Sequence, residues 1–331
     1  MPSQNLVGEP LARPETGPKH KPPMPMITVA LLVLVNVIWA GSTVATKTAL
    51  VDVPPMLLAF TRFSISGLLL YSVALWRGID MRVERRDWLA FWAFGTFGLC
   101  ITYLFVYAGI HRTSATVSSL LIASEPVFLT VLSYLVLHEQ ITQMRVVGVL
   151  IGLVGVYLIV ENGWTIHDLN GGGVGDMLIA TGLLFESASV VVGKRLVSKY
   201  SPVSVVTYQM TIGAIALAPF AAYDFFHVVH HGHPFHLSAA AVWSVLYLIL
   251  PCTVFGYMVW FTLLESRGPG EMSPFVFIQP IVGVLLGHLI RHDVITIPIA
   301  AGGCLIVGGI VIITVASRYG NAKPFAPDIV S

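Results

Sequence analysis

Charge is the scarcest commodity in this 331-residue chain. Lys and Arg number 18 and Asp and Glu 17, together 11% of residues, against about 25% in an ordinary soluble domain. With a net charge of +1 and cations scattered between apolar runs, no basic face exists on which a nucleic acid could be held. Cysteine is scarce too. Cys100, Cys252 and Cys304 fall inside apolar segments, at spacings that suggest neither a metal knuckle nor a disulfide framework, and they read as small packing residues. A phosphate-binding loop is also missing. The run Gly171-Gly172-Gly173-Val174-Gly175-Asp176 lacks the Lys-Ser/Thr that such a loop needs and leads into an apolar stretch, which makes it a linker and leaves ATP without a site. No cofactor is expected.

What the chain has instead is hydrophobic length. Residues of the apolar set make up 56% of it, at a mean hydropathy of +0.82, so it is a polytopic membrane protein whose first partner is lipid. Residues 1–26, with seven prolines and only short apolar runs, form a disordered cytoplasmic tail. The tail is too long and the apolar run after it too complete for a cleaved signal peptide. Runs near the roughly 20 residues that a bilayer requires fall at 27–46, 54–76, 88–110, 114–137, 144–160, 175–194, 204–223, 239–264, 270–290 and 294–316. With the N-terminus inside, alternate loops divide Lys and Arg 14 to 3 between the two faces, Arg62 lying within a helix. That asymmetry puts both termini in the cytoplasm, with the plasma membrane as the expected location.

The chain repeats itself. Ser124-Glu125-Pro126 recurs as Ile278-Gln279-Pro280, His138-Glu139 as His292-Asp293, Ile141-Thr142 as Ile295-Thr296, and Gly148 and Gly155 as Gly302 and Gly309, each pair 154 residues apart. Tyr103 and Tyr257 match at the same offset, whereas the earlier helices align at 147, where Lys47 meets Lys194 and Arg62 meets Gln209. Five helices per repeat is an odd number, so the second copy must enter the membrane upside down. The predicted fold is all-α, ten transmembrane helices arranged as two inverted five-helix repeats over 27–160 and 175–317, joined by a linker at 161–174 and ending in a cytoplasmic tail at 318–331. In such carriers substrate binds near the midplane between the repeats.

The motif carried by Pro126, Glu139, Ile141, Thr142, Gly148 and Gly155, and again by Pro280, Asp293, Ile295, Thr296, Gly302 and Gly309, resembles that of EamA-type members of the drug/metabolite transporter superfamily. The likeness covers roughly residues 27–317. It departs from the usual pattern at the hairpins, where Gly-Glu is replaced by His138-Glu139 and His292-Asp293, and in the first helix, where Trp-Gly becomes Trp39-Ala40-Gly41. The resemblance implies a ten-helix carrier with alternating access about a central cavity, commonly an exporter of amino acids or other small metabolites.

Several side chains are candidates for that cavity. Glu125, at the centre of the fourth run, costs about 2.5–3.5 kcal/mol on insertion scales, so it must be protonated, paired or wet. It is read as a ligand for a substrate amine and as the proton carrier, the bland alternative being an ion pair with Arg62 or Lys47. Gln279 is its non-titrating counterpart. Tyr103 and Tyr257 could offer hydroxyls, Trp39 a ring, Glu186 a second acid or else a partner for Lys194, and Arg62 a ligand for a carboxylate. Pro126 and Pro280 each remove a backbone donor and free a carbonyl one turn earlier, as hinges would. The glycines of the fifth and tenth runs are read as close-packing positions.

His227, His230, His231, His233 and His236 crowd a predicted outer loop. A zinc or nickel carrier with this loop as its collecting site is the rival function, although a solvated loop explains the tract as well. An intramembrane enzyme finds no Ser/His pair and no paired aspartates in the apolar runs. The expected function is export of a small organic molecule, amino acids first, by proton-coupled alternating access. A homodimer stays open.

Overall fold

The computed structural model describes residues 25–125, 127–128, 130–132, 142–165, 172–230, 237–267, 275–276 and 278–319. Regular structure among them is helical, as it must be where lipid offers the backbone no hydrogen-bond partner. In order the helices are α1 (Met26–Ala49), α2 (Pro55–Trp76), α3 (Arg85–Arg112), α4 (Ala115–Ala123), α5 (Gln143–Thr165), α6 (Gly172–Val197), α7 (Pro202–His230), α8 (239–267), α9 (Ile278–Arg291) and α10 (Ile297–Tyr319). Six stretches are long and apolar enough to cross a membrane: Met26–Ala49, Pro55–Trp76, Arg85–Arg112, Pro202–His230, Ala239–Trp260 and Ile297–Ala316. The chain is a multi-pass membrane protein.

Three helices depart from regularity for local reasons. In α1, Gly41 separates two segments where Tyr247 crosses so closely that a Cβ would lie 2.6 Å from its hydroxyl oxygen, and that hydroxyl donates to the Ile38 carbonyl at 2.7 Å. In α3 and α8 the helix widens to a π turn, over Thr96–Ile101 and Leu248–Phe255. A threonine hydroxyl donates to the carbonyl five residues back in each, Thr102 to Phe97 at 3.1 Å and Thr253 to Leu248 at 2.7 Å, so the widened rings lose no polar partner.

The helices pair in a pattern that maps onto itself when each is exchanged for the one five places on. α2 packs on α7, α4 on α9 and α5 on α10, while α3 on α6 is matched by α8 on α1. The closest approach is between α5 and α10. A Cβ on Gly148 would sit 2.7 Å from the Gly309 carbonyl, and one on Gly155 2.6 Å from that of Gly302. Each glycine thus faces the repeat counterpart of the other, where only a missing side chain lets two backbones touch. The packing role expected of these glycines is the one they have.

Polar groups at the helix ends close the bundle. Asp52 accepts from the Ser238 amide (2.8 Å) and hydroxyl (2.5 Å) at the start of α8, Asp224 from the Met56 amide (2.9 Å) at the start of α2, and Asp293 from the Thr116 amide (2.8 Å) at the start of α4. Each carboxylate meets the positive end of a helix. The hairpin acid of the second repeat is therefore a helix cap, while Glu139 of the first lies outside the described residues. At the opposite end Lys199 bridges Glu84 (2.7 Å) and Asp87 (2.6 Å), and Arg86 adds a 2.7 Å contact to Glu84. Hydrogen bonding by the Lys199 ammonium holds the Glu84 carboxyl below its ordinary 4.5.

One sequence expectation needs correction. α7 continues to His230 rather than stopping near 223, because no glycine or proline occurs from Asp224 to His231. His227 and His230 are consequently on its last turns, not in a loop, while residues 231–236 lie outside the description. Pro280 is buried in α9, described from Ile278 onward, while residue 277 before it and Pro126 of the first repeat lie outside the described residues.

Gly309→Leu should destabilise the protein by about 1–3 kcal/mol through overpacking, seen as a lower thermal midpoint in detergent. The adjacent Gly308→Leu, where nothing lies within 4 Å of the added Cβ, should leave the midpoint near that of the wild type. Equal effects at both positions would refute the close-approach account of the α5–α10 contact.

Candidate functional site: an arginine and two carboxylates inside the bundle

Arg62 sits in the first half of α2 and is 5% exposed. A guanidinium so enclosed must have its donors met, and its partners come from both halves of the chain. Nε donates to the Thr253 hydroxyl of the α8 π turn at 2.9 Å, and Nη1 to the Tyr107 hydroxyl of α3 at 2.8 Å. The cation lies 5.7 Å from the Tyr103 ring centre, within cation–π range. Tyr103 packs edge-on against Phe63 at 4.5 Å and against Tyr107 at 5.2 Å, a stack that fixes both phenols. Nη2 has no partner among the described residues.

Two carboxylates share this interior. Glu125 follows the turn that ends α4 at Ser124, whose hydroxyl folds back on the Leu121 carbonyl at 2.5 Å. Helical structure resumes at Glu125, near the middle of the proline-bearing run in which the sequence places it. Glu186 lies midway along α6. Each is within electrostatic range of the other, and Tyr257 of α8 is within range of both and of Arg62. Both acids keep part of their surface accessible although protein surrounds them, as groups do that line an internal space. Neither carboxylate makes an ion pair or hydrogen bond with a described residue, the Glu186 backbone carbonyl accepting from the Ser189 hydroxyl at 2.7 Å, and no described carboxylate lies within 4.0 Å of Arg62. The bland reading of Glu125 as a salt-bridge partner of Arg62 is not what the structure contains. Lys47 donates to the carbonyls of Ile110 (2.9 Å), His111 (2.9 Å) and Thr113 (2.5 Å), placing a cation at the C-terminal end of α3 where the helix dipole favours it. The Lys194 side chain, the other partner considered for Glu186, is outside the description.

The structure thus brings together Arg62, Glu125, Glu186, Tyr103 and Tyr257. Trp39 joins at the edge, its ring 5.8 Å from that of Tyr257, but its indole N–H is already given to the Cys252 carbonyl at 2.8 Å. Gln279 donates to Asn36 at 2.8 Å, and Asn36, wholly buried, donates in turn to the Leu32 carbonyl. This amide relay ties α9 to α1. Sequence reasoning gave no part to Tyr107, Thr253 or Asn36. Tyr107 was legible in principle, one helical turn from Tyr103 on the same face; nothing along the chain marks Thr253 or Asn36, because their partners are 191 and 243 residues away. Among the described residues no group of three His, Cys, Asp or Glu could hold a metal ion.

Chemically the interior offers one guanidinium and two carboxyl groups that are not ion-paired with each other, bordered by phenols. The model of the EamA-like transporter family matches residues 26–161 and again 173–315. The chain belongs to that family. It is accordingly an EamA-type member of the drug/metabolite transporter superfamily, and a membrane transporter. A protein of Archaeoglobus fulgidus named as an uncharacterized transporter is 28% identical over 86% of this chain and 97% of its own. The Bacillus subtilis transporter YvbV is 27% identical over 89% and 94%. A WAT1-related chloroplast protein of Arabidopsis thaliana is 27% identical over 77% of this chain and 61% of its own. A crystal structure at 19% identity, spanning 90% of this chain and 100% of that one, superposes with a TM-score of 0.62, which speaks to the fold alone.

Tyr107→Phe keeps the ring stack but strips Arg62 of an acceptor, and should lower stability by about 1–3 kcal/mol, the usual cost of leaving a buried donor unmet. Arg62→Lys should do at least as much harm, since a point-charge ammonium cannot serve Thr253 and Tyr107 in fork geometry. Thermal unfolding in detergent reads both, and wild-type midpoints in the two variants would refute the account of Arg62.

Proposed function

We propose that this transporter exports small organic metabolites, amino acids first, by exchanging them for protons across the plasma membrane, with both termini in the cytoplasm. The supporting observation is the unmatched charge set: Arg62 Nη2 without a described partner, Glu186 within electrostatic range of it and of Glu125, and neither acid ion-paired with a described residue. Carrying three such groups into a bilayer is costly, and a chain keeps them there when a ligand completes them. An amino acid would give its carboxylate to the guanidinium, a planar donor suited to two oxygens, and its ammonium to the acids. Tyr103 and Tyr257 border the same space and would orient it. Glu125 would carry the proton when substrate is absent, because two neighbouring carboxylates in an apolar setting do not both remain ionised.

The working architecture is ten spans in two inverted repeats of five, over 27–160 and 175–317, rocking about this cluster. It is supported by the 154-residue spacing of the motif, by the helix pairing that survives exchange of each helix for the one five places on, and by the reciprocal Gly148–Gly309 and Gly155–Gly302 contacts.

The test compares culture media from cells carrying the wild type, Glu125→Gln or an empty vector, by mass spectrometry. An amino acid or related metabolite should accumulate outside only with the wild type, and its efflux should slow when the external medium is made alkaline. Identical media from all three strains would count against the export reading; full proton-dependent efflux by Glu125→Gln would count against the coupling assignment alone.

A further inference from the structure

The two halves of the chain are tied to each other at each end of the bundle, and the ties occupy equivalent positions in the repeats. Asp52 precedes Pro55, the first residue of α2, as Lys199 precedes Pro202, the first residue of α7; both pairs of positions differ by 147. Glu84 stands just before the helical turn that opens α3, as Ser238 stands just before α8, and these differ by 154. The contacts follow the same equivalence. Asp52 of the first half holds the amide and hydroxyl of Ser238 in the second, at 2.8 and 2.5 Å. Lys199 of the second half holds Glu84 and Asp87 of the first, at 2.7 and 2.6 Å. Around the Lys199 tie the Tyr200 hydroxyl donates to Asp87 (2.5 Å), the Tyr208 hydroxyl to the Met81 carbonyl (2.7 Å) and Ser204 to the Asp80 carbonyl (3.0 Å). A recess of about 380 Å³ opens there, lined by Asp80, Arg82, Glu84, Lys199 and Tyr200 among others.

From this equivalence we infer that Asp52–Ser238 and Lys199–Glu84/Asp87 are the paired latches of the transport cycle, one on each face of the membrane, of which one must part before the bundle can open on its side. The inference rests on the inverted arrangement of the repeats but not on the identity of any substrate. Both latches are closed in this structure. The two differ in chemistry. The Lys199 latch is a pair of exposed charge-to-charge contacts, which salt screens within a Debye length of about 10 Å at 0.1 M and which contribute little singly. The Asp52 latch joins a carboxylate to the amide and hydroxyl of Ser238 at a helix N-terminus. Ionic strength should therefore loosen the Lys199 latch.

Spin-label distance measurements on the full-length protein in nanodiscs test this, with cysteines 100, 252 and 304 replaced. One label pair, at Arg82 and Ser198, reports on the Lys199 latch; a second, at Val51 and Leu237, reports on the Asp52 latch. Lys199→Gln should lengthen the first distance by several ångströms and leave the second unchanged, and Asp52→Asn should do the reverse. Raising salt from 0.05 to 1 M should lengthen the first. The charge exchange Lys199→Glu with Glu84→Lys should return the first distance toward its wild-type value. Unchanged distances in both variants, or lengthening of both pairs together in either one, would overturn the latch assignment. A carrier that passes these tests yet exports nothing detectable would leave the latches standing and remove only the export reading.

Discussion

The burial of one guanidinium constrains the rest of this structure more than any other contact. Arg62 has no lipid or bulk water to turn to, and it is held by a threonine from the second half of the chain and a tyrosine from the first. A cation with such partners fixes where α2, α3 and α8 stand relative to one another. The π turn of α8 belongs to the same arrangement: by widening the helix it turns Thr253 toward Arg62 while the Cys252 carbonyl accepts the Trp39 indole. The arginine forms no ion pair with either of the two described acids of the interior, Glu125 and Glu186.

Around that centre the bundle is assembled by close approach rather than by hydrophobic drive, which is weak between helices already in an apolar solvent. Glycine pairs let α5 and α10 touch backbone to backbone. Polar groups do the remaining work at the ends, where Asp52, Asp224 and Asp293 meet helix N-termini and Lys199 meets two acids. Those contacts are near water and individually weak. An assembly whose middle is tightly packed and whose ends are lightly tied is suited to rocking, since each face can part without unpacking the centre.

Internal symmetry is present in the packing but broken in the chemistry. Glu125 and Gln279 are equivalent in sequence, yet one faces the charged interior and the other is engaged with Asn36 in an amide relay between α9 and α1. The latches show the same division, ionic at one end and a capped helix at the other. Duplication supplied two copies of a scaffold, and substitutions since have given the copies different tasks, so that a symmetric framework carries a one-sided site.

Composition and period alone were enough to determine that this chain is helical, crosses a membrane repeatedly and is built from a duplicated unit, because lipid permits few backbone solutions and a repeat can be read by alignment of the chain with itself. The packing role of Gly148, Gly155, Gly302 and Gly309 was legible for the same reason. Arg62, Glu125 and Glu186 could be picked out singly, since a charge in an apolar run is conspicuous. Their association could not. Which acid would pair with which cation depends on helix rotation and on crossings between segments more than a hundred residues apart, and only the tertiary structure decided that Arg62 turns to Tyr107 and Thr253 rather than to Glu125 or Glu186.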